Sequence, residues 1–446
     1  MTVPSAPISG IIEGFYGRPW SWAERQAIAA ECAGWGMTDY VYAPKDDPKH
    51  RHDWRAPYDD GELHGFAAFA AAGTLRLGFG ISPGLSIDPS SDDDRRALAT
   101  KVDQVVAAGA GLVVLCVDDI PFGGEPQGEA HGAMAAWLQD HLGDRAGVAL
   151  VPTEYVGIRS SPYLRALDRT CPADVPIGWT GDAVVNDAIT TAQARRRGQA
   201  TGDREPLLWD NVPVNDGLMA DRLHLGPLWG RDDDLPAELS GYLANPMVQA
   251  TASLLPLASI SAWLRGEDPI DAWAAEADRR GWRIFAEACD GGVPHALVSM
   301  AADTFATGKL LIDDLDPLRA WFEDAASVEA PGVGDECAGW VEQVRTEASV
   351  ALDAVALLAS AIDDEAPGGA DFDEMSKAFV LGYRWKALQG AAISVMGPRL
   401  GFRPMLGQAG DGSWAMRRSS IIEGANAVDA LCRLAFDAVA WKAERS

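Results

Sequence analysis

The sequence predicts an α/β chain: a closed (β/α)8 barrel of the TIM type followed by an all-α helical bundle. Three observations carry this. Between residue 10 and about residue 265, short runs rich in β-branched and aromatic residues alternate with amphipathic stretches of helical length, the pattern of a parallel sheet covered by helices. The strand candidates number about eight, as many as a closed barrel needs. Beyond residue 267 the strand signals fade, and Ala- and Leu-rich segments with helical spacing take over.

In chain order, strands are expected at residues 9–13, 38–44, 75–82, 111–117, 147–153, 177–180, 207–210 and 239–244. Ser21 and Glu24 form a capping box before an apolar-periodic run that ends near Gly36. Ser91 to Asp94 can open the next such helix the same way, and Gly109 ends it. A doubly wound open sheet is the alternative arrangement of this pattern. Helices follow at 270–288, 295–311, 316–328, 336–362, 373–396 and 414–443, the third opening on the Asp316-Pro317 start signal. Segments 365–369 and 397–412 read as interhelical loops. The expected domains are therefore a barrel over 1–265 and a helical domain over 266–446.

Composition narrows the function. A net charge of -28 repels phosphate backbones and anionic lipid, so neither nucleic acid nor a membrane surface is an expected partner. No apolar run nears the ~18 residues of a membrane span, and the first ten residues lack a secretory signal. Cys32, Cys116, Cys171, Cys289, Cys337 and Cys432 are scattered singly, which favours buried, reduced thiols and a cytoplasmic setting. The runs Asp92-Asp93-Asp94 and Asp232-Asp233-Asp234 read as solvated surface, and Arg195-Arg196-Arg197 as a helix end. His50 and His52 make an HxH pair without the further His and Asp ligands of a metal site. The glycines Gly123, Gly124 and Gly128 lack the Lys-Ser/Thr of a phosphate loop and suggest a flexible lid. Neither metal nor cofactor is expected.

A barrel of this kind carries its active site at the carboxyl ends of its strands. Polar residues collect there: Glu13 and Gly14 after the first strand, Lys45, Asp46 and Asp47 after the second, Asp118 and Asp119 after the fourth. Glu154 and Tyr155 follow the fifth, Trp179 lies at the sixth, Trp209, Asp210 and Asn211 at the seventh, and Asn245 at the eighth. Aromatic faces with amides and carboxylates suit a neutral sugar. The adjacent Asp118 and Asp119 point different ways and are badly placed to flank an anomeric carbon from opposite sides. They could share substrate-assisted hydrolysis, one steadying an acetamide N–H and the other protonating the leaving oxygen. Mutual repulsion should raise one of the two pKa values. A metal-ligand pair or the start of a solvated loop remains open on spacing alone.

Twelve blocks, in order over residues 10–263, closely resemble the catalytic domain of glycoside hydrolase family 84, the O-GlcNAcase and bacterial hyaluronidase-like β-N-acetylglucosaminidases. They include IEGFYGRPW at 12–20, YAPKDD at 42–47, KHR at 49–51, ISPGL at 81–85, DDI at 118–120, PTEY at 152–155 and SPYLR at 161–165. WTG at 179–181, WDN at 209–211, ND at 215–216, LGP at 225–227 and NP at 245–246 complete the set. The resemblance implies a retaining enzyme that removes terminal β-linked GlcNAc from a glycoconjugate or glycoside, without metal. Asp118 would then polarise the 2-acetamido group, and Asp119 would serve as general acid and then base. Tyr155 and Trp209 would line the acetamide pocket. Gly14 through its backbone, Lys45, Asn211, Asp216 and Asn245 would hold hydroxyls and acetamide, with Trp179 at the sixth strand beside them.

The sequence departs from its relatives at Val156, where they often carry Cys, at Pro213-Val214, and in the Gly-rich stretch 121–132, which bears on aglycone preference. Two other readings stay open: an endo-acting, hyaluronidase-like hydrolase, and a non-catalytic GlcNAc-binding module. A homodimer through the helical domain is compatible with either.

Overall fold

The computed structural model describes residues 7–363, 372–397, 404–408, 414–418 and 426–445. Two compact units make up the chain. One consists of Met1–Gly217, Pro227–Ala272 and Pro404–Arg418, the other of Leu218–Gly226, Trp273–Arg403 and Ser419–Ser446.

In the first unit eight parallel strands form a barrel: β1 (Ile8–Glu13), β2 (Asp39–Tyr42), β3 (Arg76–Ile81), β4 (Leu112–Cys116), β5 (Gly147–Val151), β6 (Gly178–Trp179), β7 (Leu207–Asp210) and β8 (Gly241–Ala244). They pair in the order β5-β4-β3-β2-β1-β8-β7-β6. A parallel bridge between Leu150 and Ile177 joins the two outer strands, so the sheet closes where an open doubly wound sheet would have two edges. Alternate residues along the strands, such as Ile12, Val41, Val114, Cys116, Ala149, Val151, Leu207 and Leu243, meet in one buried cluster that fills the barrel.

Helices α1 (Trp22–Gly34), α2 (Asp60–Ala72), α3 (Asp92–Ala107), α4 (Gly124–Leu142), α5 (Pro162–Thr170), α6 (Thr191–Ala200) and α7 (Ala250–Leu264) surround it. The capping box at Ser21 and Glu24 is present with both of its hydrogen bonds. At Ser91 only half of one forms: the hydroxyl accepts from the Asp94 N–H, but the Asp94 carboxylate turns to Arg55 and the Asp88 N–H. The Gly-rich stretch expected as a lid is the first half of α4. A Cβ on Gly128 would lie 2.2 Å from the Tyr163 carbonyl oxygen, and one on Gly132 2.1 Å from the Thr170 hydroxyl. Those glycines let α4 and α5 touch backbone to backbone, which explains their number better than mobility does.

The second unit is helical, built on the long α12 (Ala338–Ile362), whose Val344, Ala348, Ala351, Val355 and Leu358 are buried. The helices in this part of the chain are α8 (Pro269–Arg280), α9 (Arg283–Asp290), α10 (Gly292–Ala306), α11 (Asp316–Ala326), α13 (Phe372–Leu388) and α14 (Ala427–Arg445). Four expectations fail: the helix foreseen at 373–396 stops at Leu388, the loop foreseen at 397–412 contains a strand, and two further helices depart from their foreseen bounds. The helix foreseen at 270–288 is broken by Gly281, which takes a left-handed φ of +70° and separates α8 from α9. The helix foreseen from residue 414 begins only at Ala427; an antiparallel pair, β9 (Pro404–Gln408) and β10 (Trp414–Arg418), precedes it. The intervening Ala-Gly-Asp-Gly-Ser is a hairpin-turn signal that outweighs the apolar spacing. The loop expected at 365–369 lies outside the described residues. Among those described, no helix is long and apolar enough to cross a membrane.

One buried ion pair anchors the start of the barrel. Glu13, fully buried at the end of β1, receives Arg25 Nε at 2.8 Å, Arg25 Nη2 at 2.9 Å, the Trp20 N–H at 2.9 Å and the Tyr40 hydroxyl. Arg25→Met keeps much of the side chain's bulk and strands the Glu13 charge, so a loss of about 3–5 kcal/mol is expected in urea unfolding. Adding Glu13→Gln should recover part of it, because the orphaned charge then disappears.

Candidate active site

Each barrel strand delivers its last residues to the same rim, and there the side chains sort by burial. Lys45 and Asp118, past β2 and β4, are both buried, with Lys45 Nζ 2.7 Å from Asp118 Oδ2. Burial opposes charge on both. Their attraction outweighs it: the Asp118 pKa is held below the ordinary carboxylate value and the Lys45 pKa above that of a free lysine. The expected repulsion from Asp119 therefore does not decide the state of Asp118, which stays ionised because a cation touches it. The other oxygen, Asp118 Oδ1, is buried with no hydrogen-bond partner among the described residues. His50 packs close to the pair, and burial, with Lys45 nearby, pushes its pKa down to about 4. Its Nδ1 lies 2.9 Å from the Gly80 carbonyl, so the HxH pair is split between a neutral buried ring and an exposed His52.

Asp119, one residue on, is exposed, and its backbone is left-handed at φ +52°. A non-glycine residue there costs about 1–2 kcal/mol. That turn buries one carboxylate and leaves the next at the surface. Asp119 Oδ1 accepts from the Tyr155 hydroxyl at 2.8 Å, and the Asp119 carbonyl accepts from Arg51 Nη2 at 3.1 Å. Tyr155 thus donates its hydroxyl to the exposed carboxylate.

The opposite wall is a chain of amides. The Gly14 N–H donates to Asn245 Oδ1 at 3.2 Å, Asn245 Nδ2 to Asn211 Oδ1 at 2.8 Å, and the Trp209 indole N–H to the same oxygen at 3.1 Å. Lys45 Nζ lies 5.6 Å from the centre of the Trp209 ring. A Cβ at Gly14 would fall 2.3 Å from Trp209, so only glycine admits the ring at this place. Asp216 accepts from the Tyr16 N–H at 2.7 Å; burial pushes its pKa up, although that bond and Lys45 pull it down. A cleft of about 400 Å³ opens beside these groups, lined by Tyr16, Lys45, Asp46, Pro48, Arg51, His52 and Leu85.

Not every strand-end residue faces that cleft. Trp179 is fully buried, its N–H donating to the Gly157 carbonyl at 3.0 Å, which leaves the ring no surface for a ligand. Glu13 is consumed by Arg25. Asp210 is paired with Arg231 at 2.7 and 2.9 Å and receives the Tyr242 hydroxyl at 3.0 Å. Glu154 is buried, and burial pushes its pKa up. Sequence reasoning also passed over two arginines. Arg197, read as a helix end, reaches inward to the carbonyls of Glu154 (2.7 Å) and Gly157 (3.3 Å) and holds the loop that bears Tyr155. Arg51, quoted only within a motif, holds Asp119. Its one sequence signal was a cation six residues past Lys45, in the same strand-end loop. Among the described residues, no His, Cys, Asp and Glu cluster is arranged to hold a metal.

The sequence family described as beta-N-acetylglucosaminidase matches residues 9–288. Protein O-GlcNAcase of Rattus norvegicus and that of Mus musculus are each 30% identical over 275 residues, which is 58% of this chain and 30% of theirs. The chain thus spans under a third of the length of those curated relatives. In fold it is similar to a mutant of the Thermobaculum terrenum O-GlcNAc hydrolase (TM-score 0.78, 23% identity, 96% of this chain and 93% of that one). It is also similar to CpGH84B (TM-score 0.77, 22% identity, 87% and 74%).

The ion pair makes a stability prediction with a definite sign. Folding lowers the Asp118 pKa, so its contribution is present above the unfolded value of about 4 and is lost as pH falls through the folded one. Lys45 has its pKa raised, so its part is constant over acid and neutral pH. Lys45→Met should therefore destabilise by about 3–5 kcal/mol at pH 7 and by clearly less at pH 3. Urea denaturation at the two pH values measures the gap, and an equal gap at both would remove the pair as its cause.

Proposed function

The chain belongs to the β-N-acetylglucosaminidase family, glycoside hydrolase family 84, and we propose that it is a retaining exo-acting hydrolase of terminal β-linked GlcNAc. The observation that carries this reading is the contrast between the two aspartates. Asp118 is ionised, buried and gripped by Lys45 through one oxygen, with the other unpartnered; Asp119 is exposed and held by Tyr155 and Arg51.

A buried carboxylate with an unused acceptor suits an amide N–H donor, since leaving that oxygen bare costs stability. In the proposed first step the substrate's acetamide N–H donates to Asp118. The acetamide carbonyl oxygen, made more nucleophilic, forms a bond to the anomeric carbon as the glycosidic C–O bond breaks. Asp119 gives its proton to the departing oxygen. The product is an oxazoline in its N-protonated, cationic form, whose N–H stays paired with the Asp118 carboxylate. In the second step Asp119, now a carboxylate, takes a proton from water as the water oxygen attacks the anomeric carbon and the ring oxygen of the oxazoline leaves. Two inversions retain the β configuration.

The amide wall of Gly14, Asn211 and Asn245, with Trp209, Lys45 and Asp216, supports the binding role proposed for it, because its donors and acceptors match hydroxyls and an acetamide. The physiological substrate proposed is a glycoconjugate or glycoside bearing terminal GlcNAc. No cofactor enters the scheme.

A 4-nitrophenyl β-N-acetylglucosaminide should be hydrolysed with the β-anomer appearing first by proton NMR, and chito-oligosaccharides should release single GlcNAc units. The matching glucoside, without the acetamide, should turn over far more slowly. Asp118→Asn is expected to lower kcat by about 10²–10³, and Asp119→Asn by about 10²–10⁴, least for good leaving groups. Equal rates for acetamido and plain glucosides would defeat the substrate-assisted scheme, and oligosaccharide products would defeat exo action.

A further inference from the structure

We infer that Arg51 is a positioning residue for Asp119, fixing the left-handed turn that presents its carboxyl group. The inference rests on the acid/base role proposed above.

Arg51 is buried, and the loop that carries it is fastened to the barrel: its N–H donates to the Pro48 carbonyl at 3.3 Å, and the Ser82 N–H donates to the His50 carbonyl at 2.9 Å. From this base its guanidinium joins three strand-end loops. Nη2 donates to the Asp119 carbonyl at 3.1 Å, Nη1 donates to the Tyr16 hydroxyl at 3.2 Å, and Nη1 lies 3.7 Å from Asp119 Oδ2. The carbonyl contact matters most. Asp119 has a backbone conformation that L residues avoid, and such a conformation persists only where its surroundings hold it. Tyr155 fixes the side chain at Oδ1, whereas Arg51 fixes the backbone and faces Oδ2.

Among the described residues, the charged and titratable groups facing Asp119 are Arg51, the hydroxyls of Tyr155 and Tyr16, the buried Cys116 thiol, the neighbouring Asp118, and Lys45, whose charge Asp118 largely offsets. Arg51 is therefore the cation that Asp119 itself engages. Its fork tethers the same carboxyl group through both of the proposed steps, the proton transfer to the leaving oxygen and the later activation of water.

The test compares Arg51→Met and Arg51→Lys with the parent in kcat and KM, using a nitrophenyl and a methyl β-N-acetylglucosaminide. For Arg51→Met the kcat on the methyl glycoside should fall at least about tenfold and that on the nitrophenyl glycoside clearly less, because a good leaving group needs less protonation. KM should change less than about threefold on either. Arg51→Lys should recover only part of kcat, since one ammonium lacks the fork that spans Tyr16 and the Asp119 carbonyl. Equal losses of kcat on the two glycosides, or a loss confined to KM, would overturn the inference.

A readout free of turnover runs beside it: carbon NMR, at one pH, of proteins carrying labelled aspartate, with the Asp119 carboxyl identified as the signal lost in Asp119→Asn. That signal should move or broaden in Arg51→Met relative to the parent, as the carboxyl group loses its fixed position. If it does while the parent leaves both glycosides intact, the functional reading fails and the positioning stands. If the parent is active and the signal stays put in a folded Arg51→Met, the positioning fails alone.

Discussion

A lysine and an aspartate buried 2.7 Å apart at the barrel rim are the constraint on which the site depends. Neither charge would survive there alone. Removing a carboxylate from water costs several kcal/mol, and an unpaired one takes up a proton instead. With Lys45 in contact, Asp118 keeps its charge yet spends only one oxygen on it. The second oxygen remains a strong acceptor in a place that water reaches poorly, where a hydrogen bond is worth more than at the surface. The amide wall facing it gains by the same exclusion of solvent.

From this follows the division between neighbours. Two successive carboxylates in ordinary strand geometry would share one environment, each raising the other's pKa. The left-handed turn at Asp119 separates them, so one is governed by Lys45 and burial and the other by solvent, Tyr155 and Arg51. The backbone strain of about 1–2 kcal/mol at that turn is small against the total stability of a barrel this size. It converts a repeated residue into two different groups.

Much of this was legible in the sequence. All eight strands were, because each is a short apolar run between helical stretches, and the rim residues followed once barrel geometry was assumed. What escaped were facts of direction and of partners. Nothing in the letters Glu13 or Asp210 says that Arg25 and Arg231 consume them, since those partners come from other elements and the pairing exists only after closure. Trp179 sits at a strand end as Trp209 does, yet one ring is wholly interior and the other reaches the amide wall. Residues 414–418 looked helical because five residues are too few to tell a period of two from one of 3.6. The Gly-rich stretch after β4 misled for the opposite reason: glycine marks both mobility and close packing, and only the position of α5 decides between them.

The fastening of the rim has a pattern of its own. Arginine does it at four places: Arg25 on Glu13, Arg51 on Tyr16 and Asp119, Arg197 on the carbonyls of Glu154 and Gly157, and Arg231 on Asp210. Each guanidinium donates at least two hydrogen bonds at once, and its planar fork loses little freedom in doing so. Such clamps suit a scaffold that must hold side chains to within a fraction of an ångström. Lysine appears at the one place where a clamp would be wrong. A guanidinium in the position of Lys45 would occupy both Asp118 oxygens, as carboxylates paired with arginine tend to be. A single ammonium takes one and leaves the other for an incoming donor. In this chemical sense Lys45 and arginine are not interchangeable, and the choice of cation at Asp118 is what keeps half of a buried carboxylate available.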